Sequence, residues 1–241
     1  MPTFQGGSMG SPYDPRLRET LVSSFDRKDH PLGAPQISAL LAYLSLLDKW
    51  NRRVRLTGLR DPVEIASRLL PESLDFLRLW SPRAGERALD VGAGAGIVAI
   101  PIGVLFPQVE MVLVESQGRK ASFLREAVRA VVGAMGAGNF RVINQRVETL
   151  WEGKKTKDGE KGGRHLGGFQ AILCRAVAPV SELLPKVWPL LADGGRLLIR
   201  QGVRGEAELE TARAAMTSLG CFLLGVTGLE GGRIIALGPE R

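Results

Sequence analysis

The sequence predicts an α/β fold: a mostly parallel sheet with an antiparallel edge hairpin, preceded by a small helical region. Three observations carry that prediction. Beyond Ser81-Pro82, short apolar runs alternate with helical segments of about a dozen residues, the pattern of parallel strands joined by crossover helices. The first of these runs breaks into a glycine cluster, Gly92-Ala93-Gly94-Ala95-Gly96. Upstream, residues 35–81 repeat apolar side chains at helical spacing.

Taken in order, residues 1–34 are rich in Gly, Pro and charge and read as a flexible N-terminal segment. They contain one short amphipathic stretch around Leu17, Leu21, Val22 and Phe25. From Pro35, Ile37, Leu40, Leu41, Leu44 and Leu47 mark one helix face. That helix ends in a basic stretch, Lys49, Arg52, Arg53 and Arg55, with Trp50 inside it. Asp61-Pro62 has the form of an N-cap followed by proline at the first helical position. The next helix runs through Ile65, Ala66, Leu69 and Leu70, is interrupted by Pro71, and resumes at Leu74, Leu77 and Trp80. Residues 82–241 form the sheet domain. Five strands are expected in ERALDV, PQVEMVLVES, FRVINQ, GFQAILCRAV and GGRLLIRQ, and CFLLGV with GRIIALG closes the chain as a hairpin. Trp151–Gly168, rich in Gly and Lys without apolar periodicity, reads as a surface loop.

The composition narrows the function. The chain has 241 residues, 44% hydrophobic and 24% charged, which suits a globular domain with a real core. A net charge of +7 favours an anionic partner such as RNA, because Lys and Arg release counterions from phosphates. Cys174 and Cys221 lie in apolar runs and are expected as buried thiols. With only His30 and His165, no Cys/His set has metal-ligand spacing, so no metal is expected. No apolar run reaches the roughly 18 residues of a membrane span, and the N-terminus lacks the apolar centre of a signal peptide. A cytoplasmic location, away from membranes, is the expectation.

The chemistry sits in Leu89-Asp90-Val91-Gly92-Ala93-Gly94-Ala95-Gly96, where a buried strand should turn into a helix. Glycines there let the backbone approach a ligand, and the helix start should offer unpaired N–H groups. The spacing G-x-G-x-G is tighter than the dinucleotide fingerprint. About 20 residues on, Glu115 ends the next strand, where an acid accepts hydrogen bonds from ribose hydroxyls. This combination predicts a Rossmann-like nucleoside site. S-adenosylmethionine carries no phosphate, and its cationic head must meet backbone groups and an acid; Asp90 is placed for that role.

Several stretches together resemble a known family: LDKWNRRVRLTGLRDPVEI, ALDVGAGAGIVAIP, LVESQGRKASFLREAV, QRVETL and ILCRAVAPVSELL. The chain resembles a divergent member of the GidB/RsmG family, bacterial methyltransferases that make 7-methylguanosine in 16S rRNA. The resemblance runs from about Leu41 to Leu237. It implies an S-adenosylmethionine-dependent methyltransferase sheet behind a helical region. It further implies that Gly92, Gly94, Gly96 and Ile97 line the cofactor. Glu115 would stand on the ribose side, Val147 and Glu148 near the adenine, and Arg175, at the pocket beyond the fourth strand, would also bind the cofactor. The implied partner is 16S rRNA or the small ribosomal subunit.

The departures cluster on the substrate side. The family's N-L-T is Arg55-Leu56-Thr57 here, and its His followed three residues later by Asp-Ser is Leu69, Glu72 and Ser73. Its Pro-Gly after the glycines is Val98-Ala99, and its Lys-Gly after the fifth strand is Arg200-Gln201-Gly202. Two other functions therefore stay open: an S-adenosylmethionine- or RNA-binding protein with a decayed substrate side, and a methyltransferase of another substrate. Guanine N7 has an in-plane lone pair and no proton, so its methylation needs positioning and no general base. Arg175 and Arg200 are the expected catalytic residues, as groups that hold a phosphate or the guanine edge. Lys49, Arg52, Arg53 and Arg55 are the expected RNA contacts.

Overall fold

The computed structural model describes residues 14–151, 167–202, 205–229 and 231–240. Its sheet has seven strands: β1 (Arg87–Val91), β2 (Glu110–Val114), β3 (Asn139–Ile143), β4 (Phe169–Arg175), β5 (Leu191–Gln201), β6 (Cys221–Leu229) and β7 (Gly232–Pro239). Their order is β3-β2-β1-β4-β5-β7-β6. The first five are parallel, and β7 runs antiparallel to both β5 and β6. The expected terminal hairpin is thus present, with the last strand lying between β5 and β6, and β6 left at the edge.

Strand alternation sends side chains to two apolar layers. Ala88, Met111, Leu113, Ala171, Leu173 and Leu198 join one core; Leu89, Val91, Val112, Val114, Ile172 and Ile199 join the other. The first core is covered by α5 (Ala99–Leu105), α6 (Gly118–Met135) and the N-terminal helices; the second is covered by α7 (Val180–Val187) and α8 (Gly205–Ser218). The N-terminal residues Leu40, Leu44, Leu47 and Phe76 belong to the same core as the sheet face, so the change of texture at residue 82 does not divide two cores.

The reading of residues 1–34 as flexible is corrected from residue 14 onward; residues 1–13 lie outside the described residues. α1 (Pro15–Asp26) is capped by Asp14, whose side chain accepts from the Arg16 N–H at 2.9 Å. Leu17, Leu21 and Phe25, one above the other at i, i+4 and i+8, are buried. Burying each is worth about 1.5–3 kcal/mol, enough to hold a short helix that composition alone reads as tail. α2 (Ala34–Asn51) buries the expected stripe and packs on α6.

The segment after Asp61 shows what Pro71 does. The Asp61 side chain caps α3 (Pro62–Glu64) by accepting from Val63 N at 2.9 Å. The helix then widens into a π-turn over Ile65–Leu69 before α4 (Leu70–Glu72) and a 3-10 run over Ser73–Arg78. Leu70 N–H reaches back five residues to Ile65 O, and Pro71 has no N–H, so Ala66 O loses both possible helical donors. Ser24 of α1 supplies the missing one: its hydroxyl donates to Ala66 O at 2.9 Å in a buried contact. The interruption therefore fixes α1 in place and aims Leu69 and Glu72 toward the sheet.

Cys174 and Cys221 are buried and free, and burial pushes both thiols up, that of Cys221 to about 11. Among the described residues no helix is long and apolar enough to cross a membrane. Of the expected Trp151–Gly168 loop, residues 152–166 lie outside the described residues.

Candidate functional site

The glycine cluster leaves β1 as a tight loop. Gly92, Gly94 and Gly96 have φ of +65°, +56° and +75°, a region that L side chains rarely adopt. Space separates two roles. A Cβ at Gly96 would meet Ile100 Cδ1 at 2.6 Å, so that glycine serves packing. At Gly94 nothing lies closer than Gly92 O at 3.7 Å, so that edge faces open space. Tyr43, fully buried on α2, holds the loop by donating its hydroxyl to Ala95 O at 2.7 Å. After β4, Ala176 at φ +53° turns the chain so that Val177 packs over Gly92.

Two acids flank the loop. Glu115, at the end of β2, accepts from Gly94 N at 3.0 Å and from Gln117 N at 2.8 Å, so its carboxylate is fixed against the glycine turn. Next to it, Asn144 donates to Glu115 O at 2.8 Å, and the 3-10 turn Val147–Thr149 follows, with Val147 buried and Glu148 half-exposed. Asp90 differs from the expectation in one respect. It accepts from Ala99 N at 3.2 Å, so the first N–H of the seven-residue α5 is already taken and the helix start is not open. Burial and the charge of Glu115 push its carboxyl up to about 7, while the Ala99 bond and Arg175 pull the other way. Asp90→Asn is therefore expected to raise the Tm of the ligand-free protein. An unfolded carboxyl ionises near 3.8 and the folded one near 7, so stability that is complete below pH 3.8 is lost as pH rises through 7. The Tm gain should grow from pH 4 to pH 7 and then level off; an equal gain at pH 4 and pH 8 would contradict the burial of an ionised Asp90.

A cavity of about 330 Å³ opens between the glycine loop and the helical region, lined by Leu56, Thr57, Leu69, Asp90, Ile97 and Arg175 among others. Its outer wall, residues 56–59, is shaped by Asn51 at the end of α2. The Asn51 carbonyl accepts from Leu56 N at 3.0 Å and Thr57 N at 3.1 Å, and its amide donates to Leu59 O at 2.7 Å. Asn51 and Tyr43 escaped the sequence reading. The available signal was slight: one asparagine at the end of the helix and one tyrosine within its apolar stripe.

Arg175 and Arg200 come together. They are register partners at the carboxyl ends of β4 and β5, on the face that carries the helical region. Glu72 lies between them, accepting from Arg175 Nη2 at 2.7 Å and standing 3.4 Å from Arg200 Nη2. Sequence reasoning counted Glu72 only as a departure from a pattern.

The basic stretch is exposed at Lys49, Arg52, Arg53 and Arg55, although Arg52 is paired with Asp48 at 2.7 Å. Trp50, inside this stretch, packs against the neighbouring helix α6. Its Nε1 donates to Glu126 at 3.0 Å and its ring meets Phe123 edge-on at 5.8 Å. Lys49, Arg53, Val54 and Glu126 line a groove of about 680 Å³ beside it, and Arg55 leads directly into the cavity wall.

The fold resembles a ribosomal protein L11 methylase from Lactobacillus delbrueckii subsp. bulgaricus, with a TM-score of 0.53 at 13% identity over 73% of this chain and 80% of that one. Fold and glycine-lined cavity define the class: a Rossmann-like α/β protein. The family model for rRNA small subunit methyltransferase G (GidB) matches residues 36–235, and the chain belongs to that family. A protein named ribosomal RNA small subunit methyltransferase G from Methylococcus capsulatus is 34% identical over 204 residues, 85% of this chain and 89% of its own. One of the same name from Rubrobacter xylanophilus is 34% identical over 239 residues, 99% of this chain and 85% of its own.

Proposed function

We propose that this protein transfers the methyl group of S-adenosylmethionine to guanine N7 in the 16S rRNA of the small ribosomal subunit, in the cytoplasm. The observation that carries the reading is the juxtaposition of an open Gly94 edge, the carboxylates of Asp90 and Glu115, and Arg175 in a chain of this family.

The residues fit the cofactor. A cationic, phosphate-free nucleoside suits a loop flanked by two acids better than a pyrophosphate would. Glu115 keeps lone pairs free beyond its two backbone bonds and can accept from both ribose hydroxyls. Val147 and Glu148 would flank the adenine, Asp90 would face the cationic methionine end, and Gly92, Gly96 and Ile97 would complete the lining. When bound, the cofactor supplies an electrophilic methyl group. The chain's own task is to exclude water and hold the guanine in line with that methyl, with Arg175 and Arg200 as the orienting groups. No side chain has to remove a proton, because N7 carries none. The test is incubation with labelled S-adenosylmethionine and undermethylated 30S subunits or their rRNA. Label in 16S rRNA supports the reading, and its absence from every rRNA substrate defeats it.

The exposed arginines before the cavity wall support RNA contact there. Replacing Arg52, Arg53 and Arg55 together by Gln should weaken rRNA binding. It should also flatten the slope of log Kd against log salt by about two to three, since each lost phosphate contact removes about 0.7–0.9. Affinity for S-adenosylmethionine should stay within twofold. An unchanged slope would make this stretch an ordinary solvated helix end.

A further inference from the structure

Arg175 and Arg200 stand side by side with Glu72 as their shared partner, and the donors outnumber the acceptors. The side-on edge of a guanidinium presents Nε–H together with an Nη2–H, a fork that matches a two-oxygen anion. Two forks offer four donors. Glu72 accepts a hydrogen bond from Arg175 Nη2 at 2.7 Å and stands 3.4 Å from Arg200 Nη2 as an ion pair, and both Nε atoms are left buried without a partner. The ion pairs are uneven too: two guanidinium groups share one paired carboxylate, with the buried Asp90 acting on Arg175 alone and at longer range. One further monoanion with two oxygens would complete both forks and neutralise the cluster, and a phosphodiester with its two non-bridging oxygens is such a group.

We propose that Arg175, Arg200 and Glu72 form an anion seat for one phosphodiester of the rRNA substrate, with Glu72 as the positioning residue that holds the two forks together. The inference rests on the rRNA reading above and adds to it a role for Glu72 and a defined ligand group. The carboxylate of the cofactor has the same two-oxygen chemistry. The polymer is favoured because the lining of the glycine cavity includes Arg175 but neither Arg200 nor Glu72, so the seat extends away from the cofactor. Glu72→Gln turns one oxygen into a donor that faces a guanidinium, which frees one fork; Glu72→Asp keeps the bridge in kind.

The test is equilibrium binding of undermethylated 16S rRNA across a range of KCl concentrations, with calorimetry of S-adenosylmethionine on each variant. Arg200→Gln and Glu72→Gln are expected to weaken rRNA binding about fivefold or more and to flatten the salt slope by about one. Glu72→Asp should recover most of that loss, and cofactor affinity should stay within twofold in all three variants. Unchanged rRNA affinity and slope in Arg200→Gln and Glu72→Gln would overturn the seat. So would tighter rRNA binding by Glu72→Gln, which would make Glu72 a mere screen. A parallel loss of cofactor affinity would also overturn it, by assigning the forks to the cofactor's carboxylate. Methyl transfer by the unmodified protein is measured separately: binding without transfer defeats the proposed activity, while the slopes still decide the seat.

Discussion

Glu115→Ala is expected to lower affinity for S-adenosylmethionine by at least about thirtyfold. Glu115 is 5% exposed and its carboxylate is fixed by the N–H groups of Gly94 and Gln117, so it is set before any ligand arrives. Removing it deletes the acceptor for the ribose hydroxyls, and charge-assisted hydrogen bonds of that kind are worth about 1.5–3 kcal/mol each. It also leaves Gly94 N–H without its partner and loosens the turn. Gly94→Val should abolish binding by a different route. Its Cβ would meet nothing closer than Gly92 O at 3.7 Å, so the chain can still fold, at a backbone cost of about 1–2 kcal/mol for a side chain in the left-handed region. The branched side chain then stands in the space through which the cofactor passes. Calorimetry on both variants, with melting curves to establish that each is folded, is the check. Affinity unchanged in both would remove the glycine turn from the cofactor site.

Arg175→Lys is expected to reduce kcat about a hundredfold while affinity for S-adenosylmethionine changes by no more than a few-fold. Lysine keeps a positive charge opposite Glu72, so the cluster loses little stability. What it loses is the planar fork that can fix the orientation of a partner through two parallel hydrogen bonds. In a reaction governed by alignment, a displacement of about 1 Å can cost 10²-fold. The loss should therefore fall on turnover and spare cofactor binding. Single-turnover kinetics with saturating cofactor separates the two. An unchanged rate, or a fall in cofactor affinity as large as the fall in rate, would show that Arg175 does not orient the substrate.

What the sequence revealed follows from the range over which each feature is encoded. The strands around Leu89, Leu113, Leu173 and Leu198 were legible because a buried parallel strand is a continuous apolar run. Glu115 was legible because it lies 21 residues from Gly94, within a single strand-helix-strand unit. Tyr43 acts on Ala95 across 52 positions and Glu72 on Arg175 across 103, and no periodicity reports such a contact. The register of β4 and β5 is what sets two arginines side by side, and it exists only once the sheet has formed. α1 was undervalued because its composition resembles a tail, while its stability comes from three buried side chains and the Ser24 bond to Ala66. The packing of Trp50 was hidden for the same reason: its partner Glu126 sits on another helix.

The most direct test is the chemical identity and position of the methyl group delivered to rRNA. Undermethylated 30S subunits are incubated with the protein and S-adenosylmethionine. Their 16S rRNA is then treated with borohydride and aniline, which cleave the chain at 7-methylguanosine, and the break is located by primer extension. The geometry described above predicts one new stop at a guanosine, dependent on cofactor and lost in Glu115→Ala. Robust transfer of label without any such cleavage would contradict it, placing the methyl on another atom or base.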